Sequence, residues 1–188
     1  MTAFTVIYDA CVLHSPSVRD LLIRLALIGK VRARWTDEIL DETFRSILER
    51  RPDLRMANLA RTRELMNRSV PDCRVTGHMP LIDGIVLPDP NDHHVLAAAI
   101  VGGAQVIVTF NLDDFPRDAL GPYNVEARHP DDFVMDQIGL APGAVVNVII
   151  EQARSLKNPP CSIAELLDEL QLQGLVQSVA KLRDMFRG

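Results

Sequence analysis

Several carboxylates in this chain stand where a strand should end or a helix should begin, and they come from distant parts of the sequence. Asp9 closes the apolar run Phe4-Thr5-Val6-Ile7-Tyr8. Glu42 ends the segment Trp35-Thr36-Asp37-Glu38-Ile39-Leu40-Asp41-Glu42. Asp89 and Asp92 open Asp89-Pro90-Asn91-Asp92-His93-His94-Val95-Leu96, and Asn111, Asp113 and Asp114 follow Val106-Ile107-Val108-Thr109. In an open α/β sheet, ligands bind beyond the carboxyl ends of the strands. Acids gathered there form an oxygen-rich pocket suited to a hard divalent cation. The chemistry such a pocket supports is metal-assisted attack on a phosphodiester.

Each candidate has a plainer role to be weighed against this one. Asp9 ends a buried strand, where an unpaired carboxylate is costly, so it needs a cation, a helix N-terminus or water. Glu38 and Glu42 share a helical face four residues apart. Glu42 is one turn deeper, between Ile39 and Phe44, and is expected to be the one that reaches the pocket. Asp89 reads as an N-cap with Pro90 at the first helical position. Asp92 then leads into Val95-Leu96-Ala97-Ala98-Ala99, whose small residues let the helix lie close on the sheet and hold the carboxylate at the strand ends. His93 and His94 are adjacent, point to different faces and lack zinc spacing. One of Asp113 and Asp114 is expected to serve an Asx-turn, leaving Thr109, Asn111 and the other aspartate to reach the pocket.

The elements that must position these groups alternate. Strands are expected at 4–8, 31–35, 106–110 and 125–127, with a further extended piece at 85–87. Helices are expected from Ser15-Pro16 to Gly29, from the Thr36 cap to before Pro52, over 54–68, and from Asp89 to Gly102-Gly103. Residues 70–84 and 111–121 read as loop. Strands alternating with helices, without tight hairpin signals, imply a parallel sheet. After Gly139 the pattern becomes helical: 144–156, then a capping box at Ser162-Ile163-Ala164-Glu165, then 176–186. We therefore divide the chain into an α/β domain at 1–137 and a helical C-terminal extension at 138–188.

Composition narrows the classes. Apolar residues are 47% of 188, enough for a core, and aromatics are only 5%, too few for broad base-stacking platforms. Cys11, Cys73 and Cys161 match no metal spacing and read as free thiols of a reducing compartment. No run reaches the ~18 apolar residues of a membrane span, so a cytoplasmic protein with no membrane partner is expected. The net charge of −5 hides a contrast. Between Arg45 and Arg68 there are seven arginines and no lysine. They read either as a solvated hairpin paired with local acids or as a basic rim that holds a polyanion beside the acidic pocket.

Tyr8-Asp9-Ala10, Glu42 after Trp35-Thr36, Asp92 before the alanine-rich helix, Val108-Thr109-Phe110-Asn111-Leu112-Asp113-Asp114-Phe115, and His129-Pro130-Asp131-Asp132-Phe133 together resemble the PIN-domain family, and within it the VapC-type toxins of bacterial toxin–antitoxin pairs. The resemblance covers roughly residues 4–135. It implies a PIN-like fold of a parallel sheet flanked by helices, and a Mg²⁺- or Mn²⁺-dependent endoribonuclease. Carried over by position, it makes Asp9, Glu42 and Asp92 metal ligands, with Asn111 and Asp114 completing the catalytic set. The family often has an aspartate where this chain has Asn111, which offers an oxygen but no charge. The resemblance also implies RNA as substrate, a small antitoxin that blocks the pocket, and homodimers.

Other classes fit less well. A dehalogenase-like phosphatase wants an aspartate two residues after the first, where this chain has Cys11. A receiver domain wants acids before the strand-end aspartate and a late lysine, and there is no lysine between Lys30 and Lys157. The alternative that stays open is a PIN-fold protein that binds RNA or a partner with little or no catalysis, because Asn111 replaces an acidic ligand.

Overall fold

Runs rich in Val and Ile build the centre of the molecule. The computed structural model describes residues 4–187. In it β1 (Phe4–Tyr8), β2 (Val31–Arg34), β3 (Val106–Val108) and β4 (Glu126–Arg128) form one parallel sheet in the order β2-β1-β3-β4. The register sets Phe4 beside Val31, Val6 beside Val106 and Val106 beside Glu126. The chain leaves β1 for one side and later returns to the other, so the strand order reverses at β1. Asp9 follows β1 at its carboxyl end, where ligands of such sheets collect.

The helices are α1 (Ala10–Leu13), α2 (Pro16–Leu27), α3 (Asp37–Arg50), α4 (Met56–Ser69), α5 (His93–Gly102), α6 (Arg117–Leu120), α7 (Pro130–Leu140), α8 (Pro142–Ser155), α9 (Ile163–Leu172) and α10 (Val176–Arg187). Thr36, Asp89 and Ser162 make the expected capping bonds, Asp89 to the 3₁₀ turn Pro90–Asp92 that leads into α5, while Ser15 before α2 makes none and meets Ser17 Oγ at 2.9 Å instead. Ile39 N–H donates to Thr36 Oγ1 at 3.1 Å. Asn91 N–H donates to Asp89 Oδ1 at 2.9 Å. Ser162 and Glu165 close a reciprocal box. α5 presses Val95 to Ala99, all but fully buried, onto the sheet and stops at Gly103, whose φ of +62° suits a residue without a Cβ.

Four local expectations differ. β3 ends at Val108 rather than Phe110, because Thr109 to Asn111 turn away. Residues 85–87 pair with no strand, and Leu87 N–H turns instead to His93 Nε2 at 3.3 Å. The segment 111–121 contains α6 and a 3₁₀ turn at Leu112–Asp114 instead of open loop. α7 is a full helix running through 137/138, the point at which the sequence pattern divides the chain.

The extension shares the core of the domain. α8 packs on α2 and α7, and α10 packs on α7 and α9. Val145, Ile149, Leu170 and Val179 are as buried as the strand residues. Among the described residues no single helix is long and apolar enough to cross a membrane. α7 and α8 pass that test only as a pair bent by 120°.

Candidate active site

At the carboxyl edge of the sheet an open cleft of about 590 Å³ is lined by Glu38, Asp41 and Glu42 from α3, Asp89, Asn91 and Asp92 from the start of α5, and Asn111 and Asp114 from the loop after β3, together with Arg45 and His94. Six carboxylates thus face two basic side chains. Glu42, Asp92, Asn111 and Asp114, singled out from the sequence, stand on its walls. Asp113 does not line the cleft.

Asp9 is buried beside the cleft, 3% exposed. Its backbone turns from β1 into α1, so its Oδ1 caps the helix by accepting from Ala10 N–H at 2.7 Å. Its Oδ2 accepts from Thr109 Oγ1 at 2.7 Å and from the Cys11 thiol at 3.1 Å. Burial raises its pKa and the three hydrogen bonds oppose that rise, while the charge of Glu42 adds to it. Thr109 in turn accepts from Asn111 N–H at 3.0 Å, which fixes the loop bearing Asn111 to Asp9. The Cys11 contact is absent from the sequence reading, which took the residue only as a free thiol.

Asp92 has a different environment. Burial, then the charges of Asp9, Asp114, Asp89 and Glu42, push its pKa up to about 7. Asp9 is held by three donors. The Asp92 carboxylate accepts no hydrogen bond from any described residue. Two histidines mark the two glutamates of α3 that line the cleft. Glu42 lies 3.5 Å from His94 Nε2, and Glu38 lies 3.4 Å from His78 Nε2, a ring that is almost wholly buried. Asp41 is taken up by Arg63, which also binds Asp37 at 2.8 Å.

That last contact answers part of the question about the arginines. Arg63 and Arg74 tie α4 and the 70–84 segment to α3 through Asp37, and Arg51 pairs with Asp53 at 2.6 Å. Arg45 stands in the cleft wall. Arg50, Arg55, Arg61 and Arg68 make no ion pair with any described residue. The hairpin's arginines therefore divide into paired ones, Arg51 and Arg63, and exposed unpaired ones, Arg50, Arg55, Arg61 and Arg68, which stand with the exposed acids Glu49 and Glu64.

The carboxylates line the cleft without meeting at a point. Among the described residues no three His, Cys, Asp or Glu side chains lie close enough together to hold a metal ion. Like charges keep apart when nothing positive stands between them. In chemistry and charge the set fits a hard divalent cation: the donors are oxygens, and Asp92 has neither donor nor counter-ion of its own.

Comparison with known families decides the fold. The PIN domain family matches residues 5–113, more than half of the chain. The chain belongs to the PIN-domain family. The family described as the VapC50 C-terminal domain matches residues 130–184, from the first residue of α7 to the last turn of α10. The PIN domain chain is also 47% identical over 95 residues to a Mycobacterium tuberculosis (strain ATCC 25618 / H37Rv) protein named "Putative ribonuclease VapC50". That match covers 50% of this chain and 56% of the relative. No solved structure matches this PIN protein.

Proposed function

We propose that this PIN protein is a metal-dependent endoribonuclease and the toxin of a toxin–antitoxin pair. The observation that carries the reading is Asp92: a half-buried carboxylate among four others, with its pKa pushed up to about 7 and no hydrogen-bond donor. A group in that position is satisfied by a cation. Family membership, and a relative whose name describes a ribonuclease, support the same class of chemistry.

In this reading Asp9, Glu42 and Asp92 hold Mg²⁺ or Mn²⁺. When bound, such an ion lowers the pKa of a coordinated water and neutralises charge on a phosphodiester. The chain's own groups do the rest. Thr109, Cys11 and Ala10 fix the Asp9 carboxylate in one orientation. Burial and the neighbouring carboxylates push the Asp92 pKa up to about 7, so its carboxyl would have to release its proton to hold the ion. Arg45, in the cleft wall, offers a planar fork to a phosphate, and the exposed unpaired arginines of α4 extend that positive surface along the strand. Asn111 presents an amide oxygen and an N–H₂ to the cleft without adding a seventh negative charge, and Asp114 stands beside it.

We extend the reading to partners and place. The six-carboxylate cleft suits the basic side chain of a small antitoxin as well as a metal. A homodimer and a cytoplasmic location are supported by family membership alone. We also propose that residues 1–137 act as the nuclease domain and 138–188 as its helical extension, with α7 straddling the join.

The test is cleavage of RNA pools by the purified chain with Mg²⁺ or Mn²⁺ against EDTA, comparing wild type with Asp92→Asn. Cleavage that needs both the metal and Asp92 is expected. Equal cleavage by Asp92→Asn sinks the metal mechanism. Metal binding without any cleavage moves the function to RNA or partner binding, with Asn111 as the reason.

A further inference from the structure

The turn joining α9 to α10 touches the loop that carries Asn111. Gly174 lies in that turn with φ +99°, and a Cβ placed on it would stand 3.4 Å from Cε1 of Phe110. Phe110 sits between Thr109 and Asn111. Its ring meets His129 edge-on, with centroids 5.2 Å apart at 78°. Its N–H donates to Cys11 Sγ at 3.2 Å, the same sulfur that donates to Asp9. One residue thus links the helical extension to both Asp9 and Asn111.

The turn is itself held firmly. The buried carboxylate of Asp131, in the first turn of α7, accepts from Gln177 N–H at 2.8 Å, Ser178 N–H at 2.8 Å and Ser178 Oγ at 2.5 Å. These bonds satisfy the free N–H groups at the start of α10 and place a negative charge at its positive end. The 109–111 segment is held instead by side-chain hydrogen bonds, from Thr109 Oγ1 to Asp9, from Phe110 N–H to Cys11 and from Asn111 N–H to Thr109. β3 has ended, and after Thr109 N–H donates to Arg128 O at 3.0 Å the backbone makes no further ladder bond to the sheet. Beyond those bonds, what holds the segment has to come from side chains packed against it.

We propose that the α9–α10 turn is a positioning element of the carboxylate site: Gly174 backs the Phe110 ring and so holds Thr109 and Asn111 against Asp9. The role rests on the reading of Asp9 and Asn111 as site residues. Glycine suits position 174 because its φ of +99° is one that L side chains rarely adopt. The left-handed backbone penalises any L side chain, and a Cβ enters van der Waals contact with the ring. A branched side chain there drives Phe110 outward and takes the loop with it.

The loop's position can be read without RNA or metal, because Cys11 lies under it. The full chain is treated with N-ethylmaleimide and the labelling of each cysteine followed by peptide mass spectrometry. Gly174→Val should label Cys11 about tenfold faster than wild type, the effect of about 1.4 kcal/mol of lost local stability. Buried Cys73 should label at the wild-type rate. Adding Phe110→Leu, which vacates the space, should return Cys11 to near the Phe110→Leu rate, a non-additivity that general destabilisation does not produce. In RNA cleavage the same variant should lose kcat with KM unchanged.

If the valine variant does not fold, Gly174→Ala with and without Phe110→Leu carries the same cycle. An unchanged Cys11 rate in a folded Gly174 variant overturns the proposal, as does equal acceleration at Cys73. If wild type cleaves no RNA while the labelling behaves as stated, the ribonuclease reading fails and the positioning role stands.

Discussion

Replacing Asp92 with asparagine should stabilise the metal-free protein, and only above acidic pH. Asp92 titrates near 7 in the folded chain against an ordinary 3.8. Between those values the folded state holds a proton that the unfolded chain has released. Stability from the protonated form is complete below about pH 4 and is lost as pH rises through 7. A shift of that size in a fully buried group corresponds to about 4 kcal/mol. Asp92 is only half-buried, and solvent screening reduces the figure to about 1–2 kcal/mol. Asparagine imitates the neutral carboxyl at every pH. Urea unfolding in EDTA should therefore give equal stability for wild type and Asp92→Asn at pH 4, and an advantage of about 1–2 kcal/mol for the variant at pH 8. Mn²⁺ at a hundred times its dissociation constant should reverse the order at pH 8, adding about 2.7 kcal/mol to wild type alone. Equal stabilities at pH 8 in EDTA would refute the reasoning, because Asp92 would then have a donor or a counter-ion that its surroundings do not show.

Three further outcomes follow from named contacts. Asp131→Ala leaves three donors at the start of α10 unmet in a buried place, at a cost of about 2–3 kcal/mol and a melting temperature lower by about 5–10 °C, checked by calorimetry. Thr109→Val keeps the shape but removes the hydroxyl donor to Asp9, so Mn²⁺ affinity by titration calorimetry should fall about tenfold, matching about 1.4 kcal/mol for one bond to a charged group. Asn111→Asp adds a carboxylate to the cleft. It should tighten Mn²⁺ binding and widen the loss of metal-free stability between pH 5 and pH 8 beyond that of wild type, and wild-type values in both would remove Asn111 from the site.

Much of the architecture was legible because its signals are local. The apolar runs at Phe4–Tyr8 and Val106–Val108 read as buried strands, and Thr36, Asp89 and Ser162 announce helix starts by their hydrogen bonds to the next turn. α7 is not among the helices expected from sequence although His129-Pro130 repeats the pattern of Ser15-Pro16, because His129-Pro130-Asp131-Asp132-Phe133 enters only as part of the family resemblance. In the structure Asp131 serves the start of α10, 46 residues away. α1, at four residues, is too short to show a helical period. The support around Asp9 was illegible for a different reason. Thr109 reaches Asp9, and Phe110 reaches Cys11 beside it, across about a hundred positions of sequence, and nothing local in either reports the meeting. Glu38 and Glu42 could be ranked from sequence, but only the packing shows that each has its own histidine.

The separation between Asp9 and Thr109 also gives the site a clock. A ribosome delivers Asp9 100 residues before the hydroxyl that orients it. At bacterial and eukaryotic elongation speeds that interval is about 5–20 s. The turn at Gly174 and the cap on α10 arrive later still. A half-made chain therefore carries the first carboxylate without the groups that aim it. Whatever this cleft cuts or grips, a nascent copy cannot do so until those later residues have emerged and folded.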